Sequence, residues 1–240
     1  MAKTKIEWTT YTWNPITGCR PISDGCLHCY AKRMATRLAG RCGYPQEQPF
    51  QPGIVREKTL QQPNFPKKPT HIFVCSMGDL FHEVVTDDVI QKVFAVMHCY
   101  PQHTFQLLTK RSKRLLRFAQ TLEQWPTNAW VGVTVEHGNS LCLDRLFKLA
   151  QIPAPVRFVS VEPMLGAVDL TPLLPSLDWV ICGAETGPQA RPCDLNWVRS
   201  LRDQCIEYRI PFFFKKDSIG QHTLDGLAWE QMPMPVHRSW

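Results

Sequence analysis

Between residues 71 and 214 the chain repeats one pattern: a short, almost wholly apolar run, a polar residue at its end, then a helix-periodic stretch or a loop. The runs are His71–Ser76, Thr104–Leu108, Trp130–Val135, Val156–Val161, Trp179–Cys182 and Pro211–Phe214, and an earlier one falls within Glu7–Trp13. Unbroken apolar character, in place of alternation, suits strands covered on both faces, as in parallel sheets. Between the runs, Thr86 reads as the cap of a helix. Asp87 and Asp88 lie at its positive end, with Val89, Ile90, Val93, Phe94 and Met97 inward. Ser112 is expected to open a second helix, Ser140 a third over Leu141–Ala150, and Asp194 a fourth over Leu195–Tyr208. Strands alternating with helices predict an α/β fold: a parallel (β/α) barrel, complete or partial, of about 6–8 strands. The 240 residues are expected to form one domain, 1–240. Residues 40–68, with Pro45, Pro49, Pro52, Pro63 and Pro66, read as an irregular excursion over the barrel face. Residues 232–240 are expected to be an ordered but irregular end.

Three of the ten cysteines cluster, in Gly18-Cys19-Arg20-Pro21-Ile22-Ser23-Asp24-Gly25-Cys26-Leu27-His28-Cys29-Tyr30. Three close thiolates form a metal-binding group that leaves one coordination position unfilled by cysteine. In a four-iron cluster, that position belongs to an iron free to hold a substrate or cofactor, whereas purely structural zinc or cluster sites take four protein ligands. The loop follows the first strand and precedes a helix expected over Ala31–Ala39, which Gly40 can end in a left-handed cap. Cys75 and Cys182 in strand-like runs, and Cys99 and Cys205 at inward helical positions, read as small buried hydrophobes. Cys193 reads as a loop cysteine, either inert or a spare thiol near the site.

In a parallel barrel the loops after the strands build the active site. Those ends carry Ser76-Met77-Gly78-Asp79, Thr109-Lys110-Arg111, Thr134-Val135-Glu136-His137, Ser160-Val161-Glu162-Pro163, Gly183-Ala184-Glu185-Thr186-Gly187 and Lys215-Lys216-Asp217. Each alone fits an ordinary solvated strand end. Together they set carboxylates and cations around one mouth, and a metal in the cysteine loop would face Asp79, Glu136, Glu162 and Glu185, which are the expected catalytic acids.

With three cysteines after the first strand, a Gly-Asp turn after the second and acidic residues later, the chain resembles radical S-adenosylmethionine (radical SAM) enzymes. More closely, it is similar to a phage- and prophage-associated family of unknown function with a three-cysteine motif. The residues that carry this are Trp13–Cys19, Gly25–Ala31, Ser76–Glu83, Gln102–Arg111, Arg157–Pro163, Gly187–Pro192 and Pro211–Lys215, spread over nearly the whole chain. The resemblance implies that Cys19, Cys26 and Cys29 each ligate one iron of a [4Fe–4S] cluster. The fourth iron would take the amino and carboxylate groups of S-adenosylmethionine, and Met77-Gly78-Asp79 would contact the methionine amino group. Reduction would then give a 5′-deoxyadenosyl radical that abstracts hydrogen from a substrate, with an electron donor as partner. Glu136, Glu162 and Glu185 would hold the ribose or methionine end of the cofactor, or orient substrate, and Lys110, Arg111 or Lys215 its carboxylate or a phosphate. The spacer Arg20–Gly25 is longer than the radical SAM pattern's, and His28 stands where that pattern has an aromatic.

The alternative for the cysteines is zinc, with His28 or a remote histidine as fourth ligand, in a non-catalytic nucleic-acid-binding barrel; a third reading leaves the thiols free. The net charge of +6 favours a polyanionic partner. The cations Lys110, Arg111, Lys113, Arg114 and Arg117, with Lys32, Arg33, Arg37, Arg41, Lys215 and Lys216, lie near the expected mouth, and Trp8, Trp13 and Tyr30 could stack bases. DNA or RNA is the expected substrate, modified or repaired. No apolar run is long enough to span a membrane and no signal-peptide core is visible, so a cytoplasmic protein is expected.

Overall fold

The structure, a computed structural model, describes residues 2–234. Eight strands form the central sheet in chain order: β1 (Ala2–Lys3), β2 (Tyr11–Trp13), β3 (His71–Val74), β4 (Thr104–Thr109), β5 (Ala129–Thr134), β6 (Arg157–Val161), β7 (Trp179–Cys182) and β8 (Phe212–Phe214). β1 runs antiparallel to β2, and β2 through β8 are parallel, with Tyr11 opposite Ile72, Val133 opposite Val159 and Phe213 opposite Ile181. The α/β parallel architecture is as the sequence predicts. β1 and β8 are the two ends of the strand order, so the sheet is an open one.

Among the described residues six α-helices accompany it: α1 (Tyr30–Arg37), α2 (Glu57–Gln61), α3 (Asp87–Cys99), α4 (Ser112–Ala119), α5 (Ser140–Leu149) and α6 (Leu195–Glu207). Every residue of β5 is buried, which explains the unbroken apolar runs. One face of the sheet packs on the helices through Val131, Val133, Leu146, Val159, Val180 and Leu201. The other face holds an aromatic cluster of Trp8, Phe73, Trp130, Phe158, Trp179 and Phe213. Trp8 precedes β2, yet its ring centroid lies 6.2 Å from those of Phe158 on β6 and Trp179 on β7. Strands so far apart in the order meet only because the sheet curls around this cluster. The free edge of β8 is covered by the chain at 229–231: Phe214 N–H donates to Trp229 O and Gln231 N–H to Phe212 O.

Several local expectations are corrected. Thr86 and Asp194 cap α3 and α6 as predicted, but α5 is capped by Asn139, whose side chain accepts from Cys142 N–H at 2.9 Å, and Ser140 is its first helical residue. Asn139→Ala should lower stability by about 1 kcal/mol in urea denaturation, the usual loss for a capping side chain. Ser112 opens α4 as predicted, directly after Arg111. Cys99 is exposed, not buried. The inward stripe of α3 is Ile90, Val93, Phe94 and Met97, and a residue two places beyond Met97 falls on the opposite side. Cys75, Cys182 and Cys205 are buried. Within 40–68 the chain forms α2 and a two-residue strand, Ile54–Val55, paired antiparallel with Ile16–Thr17 just ahead of the cysteine loop. Of the end expected over 232–240, residues 235–240 lie outside the described residues.

Candidate metal and cofactor site

The ends of the parallel strands enclose a cavity of about 420 Å³, within the range of small-molecule sites. Cys19, Cys26 and Cys29 all line it, as do Ser76, Gly78 and Asp79 after β3, Lys110 and Arg111 after β4, Glu162 after β6, Glu185 after β7 and Lys215 after β8. Ile6, Trp8, Phe73 and Leu108 give it an apolar wall. Met77 and Glu136 are not on the cavity wall, and Met77 N–H is taken by Asn14 Oδ1 at 2.9 Å.

Backbone contact fixes where the cysteine loop begins. Gly18 N–H donates to Met77 O, and Gly18 and Gly78 lie in a parallel bridge. Gly18 has φ +85°, and a Cβ there would come within 1.7 Å of Gln51 O; one on Gly78 would meet Gly18 O at 2.9 Å. Neither position admits a side chain. Cys19 N–H then donates to Phe50 O, tying the loop to the 40–68 segment.

Three strand ends hold the rest of the loop. At the end of β4, Arg111 donates to Arg20 O at 3.0 Å and to Cys19 Sγ at 3.3 Å while paired with Asp79 at 3.1 Å and Glu83 at 3.0 Å. Asp79 is itself saturated: its carboxylate also accepts from Phe81 N–H and the Thr109 hydroxyl. At the end of β5, Glu136 accepts the Ser23 hydroxyl bond from the loop, Lys110 Nζ at 2.7 Å and Arg145 Nη1 at 2.8 Å. A Cβ on Gly25 would lie 2.5 Å from the Glu136 side chain, so loop and carboxylate are in direct contact. At the end of β7, Glu185 takes His28 Nδ1 at 2.9 Å and the guanidinium of Arg191, which also donates to Asp24 O.

The charges follow from this packing. Burial alone would raise the Glu136 carboxyl, but Lys110 and Arg145 outweigh it and hold it at about 2. The Arg191 hydrogen bonds, against a smaller burial penalty, likewise hold Glu185 at about 2. Burial pushes the Cys19 thiol up to about 12; Asp79 adds to the rise and Arg111 opposes it. Deprotonation of this thiol is therefore tied to the arrival of a cation.

The acids predicted to be catalytic thus fall into two groups. Asp79, Glu136 and Glu185 are buried and spent on holding the loop and its neighbours. Glu162 is partly exposed in the cavity, in an ion pair with Lys215. Among the cations, Arg111 is 5% exposed and turned inward, and Arg114 is bound to Asp87 and Val85 O, so neither presents a free charge to a phosphate backbone. Lys113 is exposed on α4. Trp13 is fully buried and donates to Thr59 O, which removes it as a stacking surface; Trp8 is in the cavity wall, and Tyr30 is half-exposed with its hydroxyl on Ser76 O. Cys193 is not on the cavity wall, and burial raises its thiol to about 11. The anchoring roles of Arg145, Arg191, Ser23 and Asn14 are not apparent in the sequence, although Asn14 and Arg191 lie in segments that carry the resemblance and Ser23 in the cysteine loop. Arg145, a cation on the inward face of α5, carries its own signal: such a residue requires a buried partner.

Among the described residues no three histidine, cysteine, aspartate or glutamate side chains converge tightly enough to hold one metal ion. Three thiols on one cavity wall, with His28 Nδ1 placed against Glu185, are the donors that a three-cysteine cluster would use.

A family model described as "Protein of unknown function (DUF5131)" matches residues 3–233. No curated protein matches the chain. Among solved structures, a mutant of spore photoproduct lyase is similar with TM-score 0.49 and 11% identity, over 86% of this chain and 75% of that one. No helix among the described residues is long and apolar enough to cross a membrane.

Proposed function

The chain belongs to the family of proteins of unknown function DUF5131, and we propose that it is a radical SAM-type iron–sulfur enzyme acting on a nucleic acid. The observation that carries this reading is the placement of Cys19, Cys26 and Cys29 on one cavity with the Gly78-Asp79 turn, at the ends of parallel strands. These cysteines would hold a [4Fe–4S] cluster and leave one iron for S-adenosylmethionine; bound there and reduced by a low-potential donor, the pair supplies a carbon radical for hydrogen abstraction. The chain's own residues do the rest. Arg111, Glu136 and Glu185 fix the loop, so the thiols are presented in one arrangement. The wall of Ile6, Trp8, Phe73 and Leu108 gives the space beside them an apolar side. Glu162 and Lys215 face that space as an ion pair able to orient a polar group. Exposed Lys32, Arg37 and Arg41 lie in and just after α1, next to the cysteine loop, and with the net charge of +6 they supply the cationic approach for a phosphate backbone.

Anaerobically reconstituted protein, incubated with S-adenosylmethionine and dithionite, should release 5′-deoxyadenosine. Full cluster loading without that product would overturn the enzyme reading. A colourless protein retaining one zinc would establish the zinc-binding alternative instead.

A further inference from the structure

Arg111 is not available to a nucleic acid, and its geometry gives it a different task. Its side chain is 3% exposed, and all three guanidinium nitrogens are used. Nε meets Glu83 Oε2 at 3.0 Å, and Nη2 donates to Arg20 O at 3.0 Å. Nη1 sits 3.1 Å from Asp79 Oδ2 and donates to Cys19 Sγ at 3.3 Å. Loop anchoring needs only the bond to Arg20 O. The bond to the thiol is additional, and it aims a fixed positive charge at one of the three metal-binding sulfurs. Lysine, a point charge without the planar fork, could not reach these acceptors together.

We propose that Arg111 sets the reduction potential of the cluster. The inference rests on the cluster assignment above. Adding an electron increases the negative charge carried partly by the ligating sulfurs, and a buried hydrogen-bond donor and cation beside Cys19 stabilise that reduced form. Arg111 therefore raises the potential and eases reduction by a low-potential one-electron donor. Asp79 and Glu83, paired with the same guanidinium, act in the opposite sense; removing Arg111 both deletes the donor and uncovers their charge.

The test is a potentiometric titration of the reconstituted full chain with dithionite, followed by the paramagnetic resonance signal of the reduced cluster. Arg111→Gln should move the midpoint to lower potential. Arg111→Lys keeps the charge and loses the fork, so it should move it less in the same direction. Glu83→Gln removes a carboxylate that is 67% exposed, a change the fold should tolerate, and should move the midpoint upward. If Arg111→Gln fails to fold, the opposite shifts of the other two variants decide the matter. Intact clusters with an unchanged midpoint in Arg111→Lys and Glu83→Gln would overturn this inference alone. A wild-type chain that assembles no cluster would overturn the cluster assignment and, with it, this.

Discussion

Replacing Cys19, Cys26 or Cys29 singly with alanine should abolish iron retention after anaerobic reconstitution while leaving the fold intact. Replacing a residue that hydrogen-bonds to a metal ligand reduces metal affinity roughly 10–100-fold; deleting a ligand from a set of three should exceed that. The three residues are partly exposed in the cavity wall, outside both hydrophobic clusters, so their loss opens no core cavity. Cys193→Ala and Cys99→Ala serve as controls, because neither thiol lines the cavity. Iron content and visible absorption give the readout, and circular dichroism the check on folding. Iron retained at the wild-type level in all three variants would remove the basis for the proposed chemistry.

Glu136→Ala should destabilise the protein by about 3–5 kcal/mol, the range for removing one partner of a buried ion pair. Glu136 is 0% exposed and Arg145 2%, so the substitution leaves Arg145 and the largely buried Lys110 uncompensated. It also releases Ser23, the tether beside Cys26, and iron retention should fall with stability. The pH dependence gives a second handle. The Glu136 carboxyl drops from 4.5 to about 2 on folding. A lowered folded value stabilises the native state above the unfolded value, and that stabilisation is lost as pH falls toward 2. A shift of this size corresponds to about 3 kcal/mol. Glu136→Gln should therefore be less stable than wild type at pH 7, and the gap should narrow between pH 4.5 and 2 as the wild-type carboxylate is protonated. Since Glu185 titrates in the same window in both proteins, their difference isolates Glu136. A gap that stays constant from pH 7 to pH 2 would contradict the role assigned to this ion pair.

The sheet was legible in the sequence because parallel strands are buried on both faces. β5 and β6 have no exposed residue, and their apolar runs mark them to within a residue or so at each end. Helix starts were less legible. Asn139 and Ser140 are both good caps, and only the backbone decides which one turns out of the helix. Cys99 was misplaced because the general tendency of cysteine to be buried outweighed the helical register, which puts it two places beyond Met97 and away from the packed stripe. The three cysteines and the Gly78-Asp79 turn were visible as a local motif, and the structure puts them on one wall. The roles of the acids were not visible. A carboxylate at a strand end reads the same whether it faces a ligand or a buried cation, and the cations that claim Glu136, Glu185 and Asp79 come from α5, from the loop after β7 and from the end of β4. Only the fold brings those partners together: it sets Glu136 and Glu185 against the cysteine loop and pairs Asp79 with Arg111.

Mössbauer spectroscopy of protein reconstituted with isotopically enriched iron, with and without S-adenosylmethionine, separates a three-cysteine cluster from other bound iron. The expected spectrum is that of a four-iron cluster in which one iron changes its environment when the cofactor is added, since three cysteines leave one iron without a thiolate. Iron bound as isolated ions, or a four-iron cluster whose spectrum is unaffected by the cofactor, would contradict the cluster assignment.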